Sequence, residues 1–402
     1  MNILIVSSYL PFPLFSGGNI RLYNIIKRLS KHHQVTLVAE MRKHQTEDDI
    51  NEVKKICKSV YTVTRSSQWS LENIAKTGIS SKPFLVVGHK SREMQEIISG
   101  LLEKEKFDLI HVETFYVAQN IPQTSVPIVL VEHNIEYLVY KRFADGASPV
   151  LRPFLYADVM KMKRYESMLW KTVDRLVAVS EVEKTAMKRA DAVVVPNGVD
   201  TEKYKMNDLK SKTLEKEKKI LFIGDFKWIQ NRNAAAWIIT EIWPLINSKF
   251  TNQLTDQDSK LALKLWIVGK HIPDSIKFLS NDPSIILDEN APKETEKIYS
   301  NAYMLLAPIR VGGGTSYKIL EAMACGLPVV TTVLGVEGLG AKDGKEVLIG
   351  DDTNILSQNV IRLLKDPKIY RTIGENARKL IEKNFEWGKI VERLENVYKS
   401  LK

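Results

Sequence analysis

One stretch limits what this chain can become: Ala307 to Thr332, reading APIRVGGGTSYKILEAMACGLPVVTT. The apolar run from Met304 to Ile309 predicts a buried strand, three glycines follow, and Thr315 to Cys325 is dense in strong helix formers. Glycines let the backbone approach a ligand closely, and the first amides of a helix lack intrahelical partners. Strand, glycine loop and helix together therefore suit an anion. Gly326 and Pro328 stop the helix, and Val329 to Thr332 predicts the next buried strand. Taken alone, the pattern is also that of a tight turn in an ordinary α/β domain.

The same alternation runs along the whole chain. Asn2 to Ser7 is a first apolar strand; Pro11, Pro13, Gly17 and Gly18 break the chain; Asn19 to Leu29 then puts Ile20, Tyr23, Ile26 and Leu29 on one helical face. Strand-like segments recur at 35–39, 60–63, 109–112, 128–131, 175–179 and 192–195, and again at 220–224, 263–268, 285–287 and 347–349. This order predicts parallel sheets wound with helices, which hold ligands at the carboxyl ends of their strands. No G-x-G-x-x-G follows the first strand, which argues against a nicotinamide dehydrogenase. With 402 residues, two domains are expected. The turn signal Pro196 to Asp200 closes the first, and the Lys- and Glu-rich stretch after it reads as a linker. This divides the chain into 1–198, a linker at 199–219, a second domain at 220–384 and a terminal helix at 385–402.

Composition removes several classes. Cys57 and Cys325 have neither disulfide nor zinc spacing, and no Asp-x-Asp or His/carboxylate cluster follows a strand, so no metal and no resident cofactor are expected. The net charge of +10 is not gathered in a recognition module, so nucleic acid is not an expected partner; attraction to phosphorylated substrates or an anionic membrane surface suits it better. The longest apolar runs are only strand length, and the N-terminus enters a strand directly, which predicts a cytoplasmic protein, at most at the inner face of a membrane. Residues 152–171 form a basic amphipathic helix that suits either a packed helix with a solvated face or a membrane surface.

Gly312 to Gly314, Lys318, Glu321 to Ala324 and the later Glu337-Gly338 pair stand in the register of the glycine-triplet branch of the retaining family 4 glycosyltransferases, which this chain resembles. The resemblance implies a GT-B fold: two Rossmann-like, doubly wound parallel-sheet domains facing a central cleft, with the terminal helix crossing back to the first. It implies retaining, hexosyl-type transfer from a nucleotide sugar, UDP- or GDP-linked, to a saccharide or lipid-linked saccharide, without metal, in cell-surface polysaccharide or glycolipid synthesis. Glu321 would bind the ribose hydroxyls and His133 would lie near the donor sugar. Gly17, Gly18, Lys227, Arg232, Gly312, Gly313, Gly314, Thr315 and Lys318 would surround the donor phosphates. Arg21, Asn134 and Glu136 are acceptor-side candidates, although Asn134 and Glu136 equally suit a helix cap. Helix-terminal amides at Gly313, Gly314 and Thr315 with Lys227, Arg232 or Lys318 would stabilise a leaving diphosphate.

One departure stands out. The glutamate usual eight positions before Glu321 is replaced by Gly313, a loss shared by the glycine-rich branch, which leaves donor-sugar identity open. Two alternatives compete. A non-catalytic nucleotide-sugar-binding subunit is opposed by the joint presence of His133, Glu321 and both glycine loops, and a GT-B nucleotide-sugar 2-epimerase by the missing set of first-domain acids and histidines.

Overall fold

The apolar segments become strands buried on both faces: Ile3, Leu4, Ile5 and Val6 are all 0% exposed, as in a parallel sheet covered by helices on each side. The computed structural model describes residues 1–65, 67–251, 262–280, 282–292, 294–311 and 314–401. The chain divides into unit 1, Met1–Pro196 with Trp387–Lys402, and unit 2, Asn197–Glu386.

Unit 1 contains β1 (Asn2–Ser7), β2 (Gln34–Met41), β3 (Ser59–Thr64), β4 (Leu109–Glu113), β5 (Ile128–Glu132), β6 (Arg175–Ala178) and β7 (Val193–Val194). They form one parallel sheet in the order β3-β2-β1-β4-β5-β6-β7. Unit 2 contains β8 (Glu217–Ile223), β9 (Ala262–Val268), β10 (Ile285–Asp288), β11 (Met304–Ala307), β12 (Val329–Thr331) and β13 (Leu348–Ile349), parallel in the order β10-β9-β8-β11-β12-β13. The order reverses between β1 and β4 and between β8 and β11, and a crevice opens at such a switch point. Both expected glycine loops leave strands that border a switch point, Gly17-Gly18 after β1 and the glycine run after β11.

The helices that carry or border functional side chains are α1 (Gly17–Leu29), α2 (Leu71–Ile79), α3 (Phe84–Gly88), α4 (Glu136–Asp145), α5 (Arg152–Thr172), α6 (Ile229–Trp237), α7 (Tyr317–Ala324) and α8 (Trp387–Lys399). Ser16 starts α1 by accepting from Asn19 N; Leu22, Ile25, Ile26 and Leu29 are its buried stripe. Helix α8 belongs to unit 1 and packs on α1.

Two local expectations change. Residues 199–219 are not an unattached linker: Val199, Tyr204 and Leu209 are buried in the cores of unit 2, and Val199 N donates to Phe385 O at 2.8 Å. Strand β8 starts at Glu217 rather than Ile220, because Lys218 turns inward and sets its ammonium 4.4 Å from the centre of the Tyr303 ring. Among the described residues no helix is long and apolar enough to cross a membrane.

Candidate active site

The unit 2 site is built where β8 and β9 end. Gly224 N donates to Val268 O, and a Cβ on Gly269, whose φ is +156°, would stand 1.8 Å from Gly224 O. Only glycine allows that approach. A Cβ on Gly224 would stand 2.6 Å from Asn231 Nδ2, so the bare backbone makes room for the Asn231 side chain. Asn231 Nδ2 donates to Asp225 O at 2.8 Å, which leaves its carbonyl oxygen to accept from Lys318 Nζ at 2.6 Å.

Lys318 lies in the first turn of α7, its ammonium 4.6 Å from the centre of the Phe222 ring. Burial lowers its pKa to about 7, an effect that Glu321 only partly offsets. The positive end of the α7 dipole opposes a cation there too. The Ser316 side chain makes no cap hydrogen bond, while Ile319 N and Leu320 N both donate to Ser316 O at 3.1 Å. The Thr315 hydroxyl is buried and has no partner among the described residues. Gly314 has φ +76°, in the left-handed region. Gly312 and Gly313 lie outside the described residues. Helix α7 begins at Tyr317, two residues later than expected, so Gly314 and Thr315 belong to the loop.

One turn beyond Lys318, the half-buried Glu321 accepts from Tyr204 Oη at 2.8 Å through one oxygen and from Tyr299 Oη at 2.9 Å through the other. Burial raises the Glu321 carboxyl above its ordinary value, and the two phenol hydrogen bonds return only part of the rise. Each carboxylate oxygen keeps a second lone pair for a hydroxyl.

Lys227 and Arg232 do not join this cluster. Both are exposed, and Asn231 takes the inward place between them. Arg310, absent from the expected set, leaves β11 with its guanidinium 3.9 Å from the centre of the Trp237 ring and Nε donating to Asn233 Oδ1 at 3.3 Å.

The unit 1 site forms around Glu113, fully buried at the end of β4. His133 Nε2 lies 2.5 Å from Glu113 Oε1, and His111 Nε2 lies 2.6 Å from Oε2. Burial alone would raise this carboxyl, but the two histidines together hold it well below the usual range. An ionised Glu113 accepts only, so both imidazoles donate through Nε2. His111 Nδ1 lies 2.6 Å from Tyr398 Oη on α8. His133 keeps Nδ1 on its other side. Gly18 packs against it: a Cβ there would meet Tyr9 Oη at 3.1 Å and His133 Cε1 at 3.6 Å. The first glycine loop and His133 thus converge, with Gly17 as the first residue of α1.

The acceptor-side candidates fare differently. Arg21 is fully buried, and its guanidinium donates to Pro196 O at 2.7 Å and Val195 O at 2.8 Å, a clamp on the end of the first sheet. Asn134 hydrogen-bonds Glu136, as does Tyr116. Glu136 opens α4, but the cap comes from elsewhere: Glu166 accepts from Glu136 N and Tyr137 N, both at 2.9 Å. His111 and Glu113 carried a signal as polar alternate residues in an apolar strand; Tyr204, Tyr299 and Tyr398 carried none.

Two family models match the chain: residues 15–203 match "Glycosyltransferase Family 4" and residues 217–366 match "Glycosyl transferases group 1". The chain belongs to the family 4 glycosyltransferases, and its two parallel-sheet units are those of the GT-B fold. It is 23% identical over 399 residues to an uncharacterised 44.6 kDa protein in the cps region of Klebsiella pneumoniae, covering 96% of this chain and 97% of that one. It is 25% identical to the N-acetyl-alpha-D-glucosaminyl L-malate synthase of Bacillus anthracis, covering 75% and 77%. The Staphylococcus aureus capsular polysaccharide biosynthesis glycosyltransferase CapM matches at 26% over 50% of this chain and 52% of its own. A solved structure of Anabaena HepE in complex with UDP and glucose superposes with a TM-score of 0.64 at 15% identity, covering both chains fully.

Proposed function

We propose that the chain moves a hexosyl group from a nucleoside-diphosphate sugar to a hydroxyl of a saccharide or lipid-linked saccharide, retaining configuration and using no metal. The observation that carries the reading is the cluster at the start of α7: a Thr315 hydroxyl with no partner among the described residues and the inward Lys318, with Glu321 a turn away. The diphosphate takes Thr315 and Lys318 at the positive end of α7, and the ribose hydroxyls donate to Glu321. As the bond from the anomeric carbon to phosphate breaks, the developing negative charge meets the helix dipole and an ammonium that regains its proton. The acceptor oxygen bonds to the same face of that carbon, and its proton passes to the departing diphosphate oxygen. His133, fixed by Glu113 with Nδ1 free to face a ligand, is the unit 1 candidate for contact with the transferred sugar.

Polysaccharide assembly is favoured by the likeness to CapM, while the likeness to an N-acetyl-alpha-D-glucosaminyl L-malate synthase adds hydroxy acids to the acceptors to try. HepE shares the fold alone, and its UDP makes uridine the first base to try. The test is thermal stabilisation of the purified protein by UDP-, GDP- and ADP-sugars and by NADH, in EDTA, with Glu321→Ala alongside. Stabilisation by one nucleotide sugar, absent in the variant, supports the reading. Silence toward every nucleotide sugar, or a response to NADH alone, ends it. Retention is read from the anomeric configuration of the product by NMR.

A further inference from the structure

One helix of unit 1 is inside out. In α2 the buried residue is Asn73, whose Nδ2 donates to Ser67 O at 3.0 Å and Gln68 O at 3.3 Å. Leu71 is 87% exposed, Ile74 49% and Ile79 92%. Leu71, Ile74, Ala75 and Gly78 follow helical spacing, so the apolar stripe faces solvent while Asn73 packs. Trp69, just ahead of the helix, is 77% exposed.

The surface continues onto α5. Lys161 Nζ donates to Thr77 O at 2.7 Å and Phe84 N to Asp158 Oδ1 at 2.9 Å, which seats one side of α5 against α2 and α3. One turn earlier on that side stands Phe154, 74% exposed. The segments that carry these side chains are mostly basic. Residues 68–90 and 139–164 together hold nine lysines and arginines against three carboxylates, and one of the three, Glu72, is paired with Lys76.

We propose that this face of unit 1 docks on an anionic lipid bilayer, with α2 in the plane of the interface, its apolar stripe among the acyl chains and the cations among the headgroups. An exposed apolar stripe needs a cover, and a basic surround selects a negative one. A second copy of the chain fits less well, since a two-fold contact sets these cations against themselves. The expected basic helix at 152–171 thus acts together with α2, which its composition had not singled out. The inference stands independently of the transferase reading.

The test is sedimentation of the full chain with vesicles of phosphatidylcholine alone or mixed with phosphatidylglycerol. Binding is expected only to the mixed vesicles, weakening as salt rises. The double variant Leu71→Ser, Ile79→Ser should lower the vesicle partition coefficient roughly tenfold or more, since two large apolar side chains are lost from the interface. Its melting temperature should not move, because both side chains are exposed in the free protein. No binding of the unaltered chain, or equal binding of the double variant, overturns the proposal. So does a concentration-dependent dimer that the double variant abolishes without any vesicle binding, which would assign the face to a second copy.

Discussion

Each unit keeps one carboxylate beside its strand-end crevice, and the two are held in opposite ways. Glu113 sits between the Nε2 atoms of His111 and His133, whereas Glu321 sits between the hydroxyls of Tyr204 and Tyr299. Both are withdrawn from water, so burial pushes both acids up. The histidines, which can carry charge, more than reverse that push; the phenols, which supply only dipoles, do not. Unit 1 therefore holds a fixed negative charge that orients His133. Unit 2 holds a carboxylate less fully compensated, still able to accept from a ligand's hydroxyls.

The largest test of this contrast is stability against pH. Removing Glu113 with Ala leaves two imidazole donors facing a cavity, and a loss of about 3–5 kcal/mol is expected. The isosteric Glu113→Gln and Glu321→Gln variants then separate the two carboxylates by sign. Glu113 has its folded pKa depressed, so its contribution is present above the unfolded value of about 4.3 and is lost as pH falls through the lower folded value. The gap between the unaltered chain and Glu113→Gln should close in acid. Glu321 has its folded pKa raised, so its contribution is full below about 4.3 and is lost as pH rises through the folded value. Its gap should shift the other way. Urea unfolding across the acid range reads both, and slopes of the same sign would break the comparison.

Lys318 extends the contrast to binding. With its pKa lowered to about 7, the unliganded protein carries a largely neutral amine at pH 8. A diphosphate beside it restores the ordinary preference for the cation, so binding should take up a proton. Calorimetry with UDP in two buffers of different ionisation enthalpy measures that uptake. Lys318→Met should abolish it and weaken binding roughly tenfold, the share of one charge-assisted hydrogen bond. Equal apparent enthalpies in both buffers for the unaltered chain would remove Lys318 from the phosphate site.

Sequence legibility divides along the same line. Strands such as β11 could be read because a parallel strand buried on both faces must be apolar at nearly every position. By the same logic the start of β8 was hidden, since Lys218 inside the sheet is held by Tyr303, a partner 85 positions away. Within the site, Gly18, His133, Thr315, Lys318 and Glu321 were singled out by the resemblance to the glycosyltransferase family, since by position alone a glycine pair or a histidine after a strand equally suits a turn or a structural role. Their holders were not. Tyr204 is separated from Glu321 by 117 positions and lies in a stretch whose Lys and Glu content reads as a linker. Arg21 misled for the opposite reason: its position beside the first glycine loop suggests a ligand, while the carbonyls that consume it lie at the far end of the sheet sequence.

The smallest expected effect probes how far the Glu113 arrangement extends. Tyr398 is fully buried on α8, 287 positions from His111, and its hydroxyl is the hydrogen-bond partner of His111 Nδ1. Tyr398→Phe keeps the ring and removes that partner, which leaves one buried ring nitrogen unmet, a cost of about 1 kcal/mol. Urea unfolding of Tyr398→Phe beside the unaltered chain reads that loss. A variant equally stable would show that the chain of contacts ends at His111. The terminal helix would then hold unit 1 together by packing alone, with no hand in the charge that orients His133.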